Sequence, residues 1–155
     1  MPGLDPCVAT NKLAIDPQCR PVKQAPRCVR PEFQDQVIAK VDKLITARFI
    51  KEIQYPRWLS SIVPVEKKNG QVRVYIDFHD LNRACPKDDF PLPITELVVD
   101  ATTGFDALSF MGGSSGYNQI KMDPMDALDT SFRTPRGNFH YTVMPFGLKN
   151  AGASY

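Results

Sequence analysis

The sequence lacks several features that identify common classes of protein. Its 155 residues include four cysteines and two histidines, and the cysteines form no C-x-x-C pair. This spacing does not indicate a zinc site, so Cys7, Cys19, Cys28 and Cys85 are expected to be free thiols. No apolar run approaches the ~20 residues of a membrane span, and the first residues have neither the basic start nor the apolar core of a secretory signal. A soluble intracellular protein is expected, in the cytoplasm or the nucleus.

A large charge of either sign is also absent. The chain has 19 basic and 17 acidic residues, which gives a formal net charge of +2. So small a bias permits a nucleic-acid or nucleotide partner but does not by itself indicate one. With 43% hydrophobic residues, the chain has enough apolar material to bury one core of its own.

Proline is the residue in excess, and its positions divide the chain. Several of the 14 prolines fall within residues 1–30, where no hydrophobic period is sustained. These residues are predicted to form an extended linker arm, with a short strand at Lys12–Ile15. From Pro31 to about Arg48 the apolar residues return every three or four positions, which predicts a helix. Its apolar face consists of Phe33, Val37, Val41, Leu44 and Ile45.

A β-hairpin is predicted in the stretch "SIVPVEKKNGQVRVYIDF", because two β-rich runs flank the turn-forming pair Asn69–Gly70. Pro64 cannot donate to a ladder, so its strand is expected at a sheet edge or at a bulge. Lys67, Lys68 and Arg73 place three cations at the tip of this hairpin. Such a cluster is most often a solvated turn, and the alternative is a finger that holds phosphates.

Shorter elements are predicted over the rest of the chain. The stretch "ITELVVDATTG" predicts a short helix that stops at Gly104. A strand is expected at residues 107–111, immediately before two glycines, and another at residues 118–122, followed by a helical turn at residues 124–128. The stretch "TSFRTPRGNFHYTV" predicts a second hairpin, and "LKNAGASY" predicts the opening turn of a helix.

Four blocks of the sequence follow one another in the order and spacing of a known family. They are "WLSSIVPVEKKNGQVRVYIDFHDLN", "CPKDDFPLPITELVVDATTG", "ALSFMGGSSGYNQIKMDP" and "TSFRTPRGNFHYTVMPFGLKNA". Together they resemble the reverse transcriptase of gypsy-type LTR retrotransposons, of the kind abundant in plants. Residues 1–30 resemble the linker that joins protease to polymerase in such polyproteins.

The resemblance implies an α+β fold over residues 31–155. This fold would be a partial right-hand polymerase, with a fingers β-hairpin and an incomplete palm sheet with helices. The implied activity is RNA-directed DNA synthesis, with a primer–template, a deoxynucleoside triphosphate and the rest of the polyprotein as partners and magnesium as cofactor. In this family the palm continues into a Tyr-x-Asp-Asp hairpin, a motif that the printed sequence does not contain.

The family's metal site is altered in this sequence. An aspartate normally follows the first palm strand and binds two magnesium ions together with the carboxylates of the later hairpin. Gly112 occupies that position and supplies no side chain. Gly113 matches a place where the family offers a backbone carbonyl, and one carbonyl cannot hold two magnesium ions. The chain by itself is therefore predicted to be catalytically inactive.

Other residues match family positions that contact substrate. Arg73 and one of Lys67 and Lys68 match fingers cations that contact the incoming triphosphate. Tyr117 matches the aromatic gate that leaves no room for a 2′ hydroxyl, although a core aromatic is the ordinary meaning of such a residue. Phe146–Gly147 matches the loop beneath the base and sugar of the nucleotide, where glycine permits close backbone approach.

Several polar residues have a structural interpretation. Asp77 is expected to hold backbone or an arginine, most simply in a salt bridge. His79 stands where the family usually has arginine or tyrosine near the template, and a neutral imidazole weakens a phosphate contact. Asp123, Asp126 and Asp129 are expected to lie on a solvated helical segment and to cap it, rather than to replace the missing metal ligand.

Three hypotheses about function follow. The chain is a reverse transcriptase fragment, a non-catalytic remnant that binds nucleotide or nucleic acid, or a decayed fragment without activity. An intact downstream reading frame with a Tyr-x-Asp-Asp motif favours the first hypothesis, whereas a stop codon there favours decay.

Overall fold

The architecture is that of a mixed sheet with short helices around it. A computed structural model describes residues 3–91, 93–109 and 115–154. The described strands, in chain order, are β1 (Thr10–Asn11), β2 (Ile50–Glu52), β3 (Ser60–Glu66), β4 (Val72–Ile76), β5 (Lys121–Met122), β6 (Phe132–Thr134) and β7 (Gly137–Tyr141). Five of them form one sheet in the order β2-β7-β6-β3-β4, and β1 pairs with β5 in a separate parallel ribbon.

The helices are short, apart from the first. They are α1 (Pro31–Thr46), α2 (His79–Ala84), α3 (Thr95–Asp100), α4 (Pro124–Ala127) and α5 (Ala151–Ser154), with 3₁₀ turns at Gly116–Gln119 and Leu128–Thr130. No helix within the described ranges combines the length and the apolar character that crossing a membrane would need. The predicted α+β class is confirmed by this mixture of elements.

Helix α1 confirms the prediction from hydrophobic spacing. Pro31 stands at its first position, where a missing N–H costs nothing, and Glu32 and Lys43 place opposite charges at its two ends in the sense that the helix dipole favours. Val37 and Val41 are 0% and 2% exposed. Each fully buried valine contributes roughly 1.5–3 kcal/mol of transfer free energy, so this face fixes the helix on the sheet.

The two predicted hairpins are both present. Strands β3 and β4 pair antiparallel, as do β6 and β7. The prediction of an edge position for Pro64 is wrong for its strand as a whole, since β3 lies between β4 and β6. However, β6 pairs only with Ser60 and Ser61, three residues short of the proline. The Asp77 N–H donates to the Ser61 carbonyl and the Lys67 N–H donates to the Gln71 carbonyl. In an antiparallel pair every second residue bonds to the partner strand, so the odd-numbered residues of this stretch bond to β4. The Pro64 nitrogen therefore points away from β4, and the ladder needs no N–H from it.

Two hydrophobic cores lie against this sheet region, and Ile76 and Tyr141 contact both of them. The first contains Val37 and Val41 of α1 together with Ile50, Ile62, Val72, Phe132 and Phe139. The second is built around α2 and contains Leu13, Trp58, Phe78, Leu81, Ala84, Cys85, Ile120, Met122, Ala127, Met144, Leu148 and Ala151. The second core is the one that supports the candidate site.

The N-terminal arm packs on the second core. The strand predicted at Lys12–Ile15 is wrong: the strand is β1, two residues earlier, and it pairs in parallel with β5. The left-handed backbone of Ala14, with φ 50°, ends any extended run there. Leu13 is 5% exposed, and its N–H donates to the Asp126 carboxylate at 2.8 Å. A buried anchor side chain and a backbone tie therefore hold this part of the arm.

A second part of the arm is held by Gln24. Its N–H donates to the Leu59 carbonyl at 2.8 Å. Its side-chain oxygen accepts from the Ser61 N–H at 2.8 Å, and its side-chain nitrogen donates to the Asp80 carboxylate at 2.9 Å. One glutamine thus links the arm to β3 and to α2.

Two predicted strands are corrected in part. Residues 107–109 are not in a strand, and Phe110 and Met111 lie outside the described residues. The strand predicted at residues 118–122 is reduced to β5, because Gly116–Gln119 forms a 3₁₀ turn. Ser115, with φ 52°, directs the chain into that turn. The helical turn predicted from Pro124 is confirmed as α4, and the final helical opening is confirmed as α5.

Candidate functional site

Tyr117 and Phe146, separated by 29 positions in the sequence, form a ring pair in the fold. Their ring centroids are 4.7 Å apart and their planes meet at 74°, an edge-to-face arrangement. Tyr117 packs against the second core, while Phe146 remains 59% exposed. The pair therefore has a supported ring and an accessible ring.

The turn after Phe146 requires glycine. Gly147 has φ 98°, a left-handed conformation that side chains disfavour. A Cβ at this position would lie 3.6 Å from the Phe78 ring and 3.8 Å from the Ile76 carbonyl oxygen. The backbone at Gly147 is therefore packed closely over the end of β4 and the start of α2.

This turn is attached to α2 by a set of polar contacts. The Asn82 amide nitrogen donates to the Gly147 carbonyl at 2.7 Å, and the Asn82 side-chain oxygen accepts from the Lys149 N–H at 2.9 Å. The Lys149 ammonium donates to the Cys85 carbonyl at 2.8 Å. Burial raises the pKa of the Cys85 thiol, and the Lys149 charge opposes that rise.

Asn150 extends the attachment to the loop after α2. Its amide nitrogen donates to the Pro86 carbonyl at 2.9 Å. Its side-chain oxygen accepts from the Asp88 N–H at 3.1 Å. Residues 147–150 are thus bound to α2 and to the residues that follow it.

The cationic cluster lies at the β3–β4 turn, as predicted. The turn is closed by the Gly70 N–H, which donates to the Lys67 carbonyl at 2.9 Å. Lys68 and Arg73 are exposed, and an Arg73 guanidinium nitrogen lies 3.4 Å from the Tyr75 hydroxyl. Within the described ranges, no carboxylate forms an ion pair with Lys67, Lys68 or Arg73. Their charges are therefore available to an anion from solution.

The β3–β4 hairpin and the Tyr117–Phe146 ring pair belong to different parts of the fold. Val72, at the start of β4, is buried in the first core, whereas Tyr117 packs on the second. The substrate-contact roles predicted for Lys67, Lys68, Arg73, Tyr117, Phe146 and Gly147 stay predictions.

Asp77 forms the structural salt bridge expected of it. Its carboxylate lies 2.6 Å from the Arg27 guanidinium of the arm. The other carboxylate oxygen accepts from the His79 N–H at 3.2 Å. Asp77 thus joins the arm to the start of α2, and the exposed His79 stands beside it.

The three aspartates near α4 have three different environments. Asp123 caps α4 by accepting from the Met125 N–H at 3.0 Å, as predicted. Asp126 is partly buried and accepts from the Leu13 N–H. The expectation of a solvated Asp129 is wrong, because this residue is 3% exposed. It pairs with Arg57 at 2.8 Å, its other oxygen has no hydrogen-bond partner, and burial raises its pKa against the opposing effect of Arg57.

The predicted metal position falls at Gly112 and Gly113, which lie outside the described residues. In the part of the chain that the structure describes, no group of three or more His, Cys, Asp or Glu side chains could hold a metal ion. Asp123, Asp126 and Asp129 are accordingly not part of such a group, and the prediction that they do not replace the missing metal ligand stays a prediction.

Sequence reasoning gave no role to Asn82, Lys149 or Asn150. The partners of Asn82 in this network lie 65 and 67 positions away along the chain. No local pattern marks an asparagine whose partners are so distant. The one available signal was that Asn82 ends a matched block and Lys149 and Asn150 lie near the end of another.

No family model matches the chain. A retrovirus-related Pol polyprotein from transposon 412 of Drosophila melanogaster is 31% identical over 127 residues, which cover 78% of this chain and 10% of that polyprotein. The transposon Tf2-3 polyprotein of Schizosaccharomyces pombe is 33% identical over 91 residues, covering 59% of this chain and 7% of the polyprotein. This chain is related to retroviral and retrotransposon Pol polyproteins. It spans about a tenth of their length or less.

Solved structures place the fold. The native protease–reverse transcriptase of prototype foamy virus has a TM-score of 0.76 at 16% identity, covering 92% of this chain and 19% of that one. A foamy viral protease–reverse transcriptase in complex with an RNA/DNA hybrid has a TM-score of 0.73 at 16% identity, and the match covers 89% of this chain and 19% of that one. The fold is part of a reverse transcriptase fold.

Proposed function

We propose that the chain is the fingers and the beginning of the palm of an RNA-directed DNA polymerase, encoded in a gypsy-type LTR retrotransposon of the kind found in plants. The observation that carries this proposal is the contact of Tyr117 with Phe146, directly before the left-handed Gly147. The resemblance assigns these three residues to one nucleotide pocket, although they come from two separate blocks. Four sequence blocks and the relatives among Pol polyproteins support the family assignment.

The chemistry of the two rings agrees with a deoxynucleotide. The accessible Phe146 ring offers an apolar face to a base or sugar, and Tyr117 beside it limits the space near the sugar. A ring in that place discriminates by excluding the 2′ hydroxyl rather than by bonding to it. Lys67, Lys68 and Arg73 supply positive charge for a triphosphate, since phosphate oxygens form strong charge-assisted hydrogen bonds with such groups.

The proposed macromolecular partner is a primer–template. A solved neighbour of the same fold is a reverse transcriptase in complex with an RNA/DNA hybrid. In this chain the cations of the hairpin tip, which no described carboxylate pairs, support a contact with backbone phosphates. Such contacts release counterions, so affinity falls as salt rises.

Catalysis by the 155 residues alone is not part of the proposal. Gly112 cannot supply the carboxylate that the family uses to bind both magnesium ions. Metal ions stabilise charge on the attacking and leaving oxygens of phosphoryl transfer, which is worth several kcal/mol, and each ~1.4 kcal/mol changes the rate tenfold. A non-catalytic nucleotide- or nucleic-acid-binding remnant is the second candidate, and the glycine at this position is the observation that favours it.

Primer extension with magnesium tests the catalytic part. The 155-residue chain and its Gly112→Asp variant are both expected to give no extension above a no-enzyme control, because one carboxylate cannot organise two metal ions. The chain can also be fused to the Tyr-x-Asp-Asp palm and the thumb of a relative. The fusion that carries Gly112→Asp should extend the primer, and the fusion that retains Gly112 should not. EDTA-sensitive extension by the unaltered 155-residue chain would contradict the assignment of Gly112.

Binding through the hairpin tip is tested by salt titration. Changing Lys67, Lys68 and Arg73 together to alanine should weaken primer–template binding and lower the slope of log affinity against log salt by ~2–3, because each duplex phosphate contact contributes about 0.9. The matched control replaces three exposed lysines elsewhere, Lys40, Lys43 and Lys51, and should change the slope little. Equal slopes for the two triple variants would remove the hairpin tip from the binding site.

A further inference from the structure

The side chain of Asn82 uses both of its polar groups on the turn that follows Phe146. Its amide nitrogen donates to the Gly147 carbonyl at 2.7 Å. Its oxygen accepts from the Lys149 N–H at 2.9 Å. One planar amide thus spans the two peptide groups that flank Leu148, which fixes the direction of the turn as well as its position.

Helix α2, which carries Asn82, is held in place by the second core. Its own N–H donates to the Phe78 carbonyl at 2.8 Å within the first turn of α2. Phe78 and Leu81, which precede Asn82 in the chain, are 2% and 1% exposed, so α2 cannot shift without opening the second core. The position of the Asn82 amide is therefore set by the core.

The contacts that Asn82 makes are at the surface. Water can replace them, so losing them costs little folding free energy compared with losing a buried pair. What water cannot replace is the fixed geometry of the turn, because bridging waters do not hold two peptide groups at set positions. The side-chain contacts of Asn82 therefore position the turn after Phe146 more than they stabilise the fold.

We infer that Asn82 is a positioning residue for nucleotide selection, and this inference rests on the proposed function. By holding Gly147 and Lys149, it keeps the exposed Phe146 ring against the Tyr117 ring. These two hydrogen bonds together form a brace between α2 and the turn. Loss of the brace lets the Phe146 ring move away from Tyr117. The space next to the sugar then widens, so a ribonucleotide is excluded less strictly than before.

The test uses Asn82→Ala and Asn82→Asp in the full chain. Alanine removes both contacts. Aspartate keeps an acceptor for Lys149 N–H but faces the Gly147 carbonyl with a second acceptor, so it separates the two halves of the brace. Asn138→Ala, at a half-buried asparagine of β7 away from the ring pair, is the matched control.

Amide hydrogen exchange is the first measurement. In Asn82→Ala the Lys149 amide should exchange about tenfold faster, in Asn82→Asp it should stay near its original rate, and α1 amides should be unchanged in both. Lys149 exchange that is unaffected by alanine would overturn the brace itself. This readout does not depend on any nucleotide.

The second measurement compares binding of dGTP and GTP. Asn82→Ala and Asn82→Asp should each lower the preference for dGTP over GTP several-fold, while Asn138→Ala should leave it unchanged. An equal loss of affinity for both nucleotides, or none, would overturn the positioning role. Failure of the unaltered chain to bind dGTP would instead contradict the proposed function, and the inference with it.

Discussion

Asp129 and Arg57 form an ion pair in which one partner is almost entirely buried and the other is exposed. The carboxylate side chain is 4% exposed and the guanidinium 72%. Burial raises the pKa of Asp129 above its ordinary 3.8, and the two effects of Arg57 only partly counter this. The folded chain therefore holds this proton to higher pH than the unfolded chain does.

The pH dependence of stability follows from that sign. Between pH 3.8 and the raised folded-state pKa, the folded state binds more protons than the unfolded state, so the stability contributed by this site falls as pH rises. The Asp129→Asn variant has no ionisable group at this position. The stability of the original chain should therefore fall relative to that variant across the window, by at most ~1.4 kcal/mol for each step of one in pH. Urea unfolding of both proteins from pH 3.5 to pH 7 measures the difference. A difference that is constant with pH, or that grows in favour of Asp129, would contradict the assigned environment.

At the scale of the secondary-structure elements, the packing of α1 depends on its buried apolar face. Val41 is 2% exposed and belongs to the first core with Ile50 and Phe132. Val41→Asp places an unpaired charge among these side chains and should destabilise the chain by roughly 3 kcal/mol or more, enough to unfold a marginally stable domain.

The matched control for this change is Lys40→Asp, one residue away on the exposed face of α1. A surface substitution of this kind usually alters stability by no more than ~0.5 kcal/mol. Circular dichroism and urea unfolding compare the two variants. A folded Val41→Asp protein with an unchanged urea midpoint would contradict the packing of α1.

For the whole molecule, the segment around α3 presents unusual apolar exposure. Seven large apolar residues in this segment are 48–69% exposed, namely Phe90, Ile94, Leu97, Val98, Val99, Phe105 and Leu108. The sheet also has two outer strands, β2 and β4, and no described strand pairs with the outer side of either. Clustered apolar exposure and open strand edges both favour association.

The chain is therefore expected to self-associate at high concentration. Leu97→Lys should reduce the associated fraction in sedimentation velocity, because it puts a charge into the apolar surface of α3. Glu96→Lys, at the neighbouring position of the same helix, is the control for added positive charge. If both variants associate as the original chain does, the α3 surface is not the surface through which the chains associate. A single monomeric boundary for the original chain at high concentration would contradict the prediction of self-association altogether.

Local patterns accounted for part of the fold. The three-to-four spacing from Phe33 to Ile45 predicted α1, and the Asn69–Gly70 pair predicted the β3–β4 hairpin, because neighbouring residues decide both features. The strand predicted at Lys12–Ile15 was wrong because Leu13 is drawn into the second core and Ala14 takes a left-handed conformation. Those constraints come from packing, which the local sequence does not contain.

The sequence by itself determined the elements whose hydrogen bonds are short in range, and the four blocks on which the resemblance to reverse transcriptases depends. Tertiary structure alone decided that Tyr117 meets Phe146, that Asn82 binds a turn 65 positions away, and that Asp129 is buried against Arg57 at a separation of 72. Contacts of this length are selected by the packing of two cores, since many segments could satisfy the same polar groups in an open chain. The candidate site consists mainly of such contacts, and the fold had to bring them together.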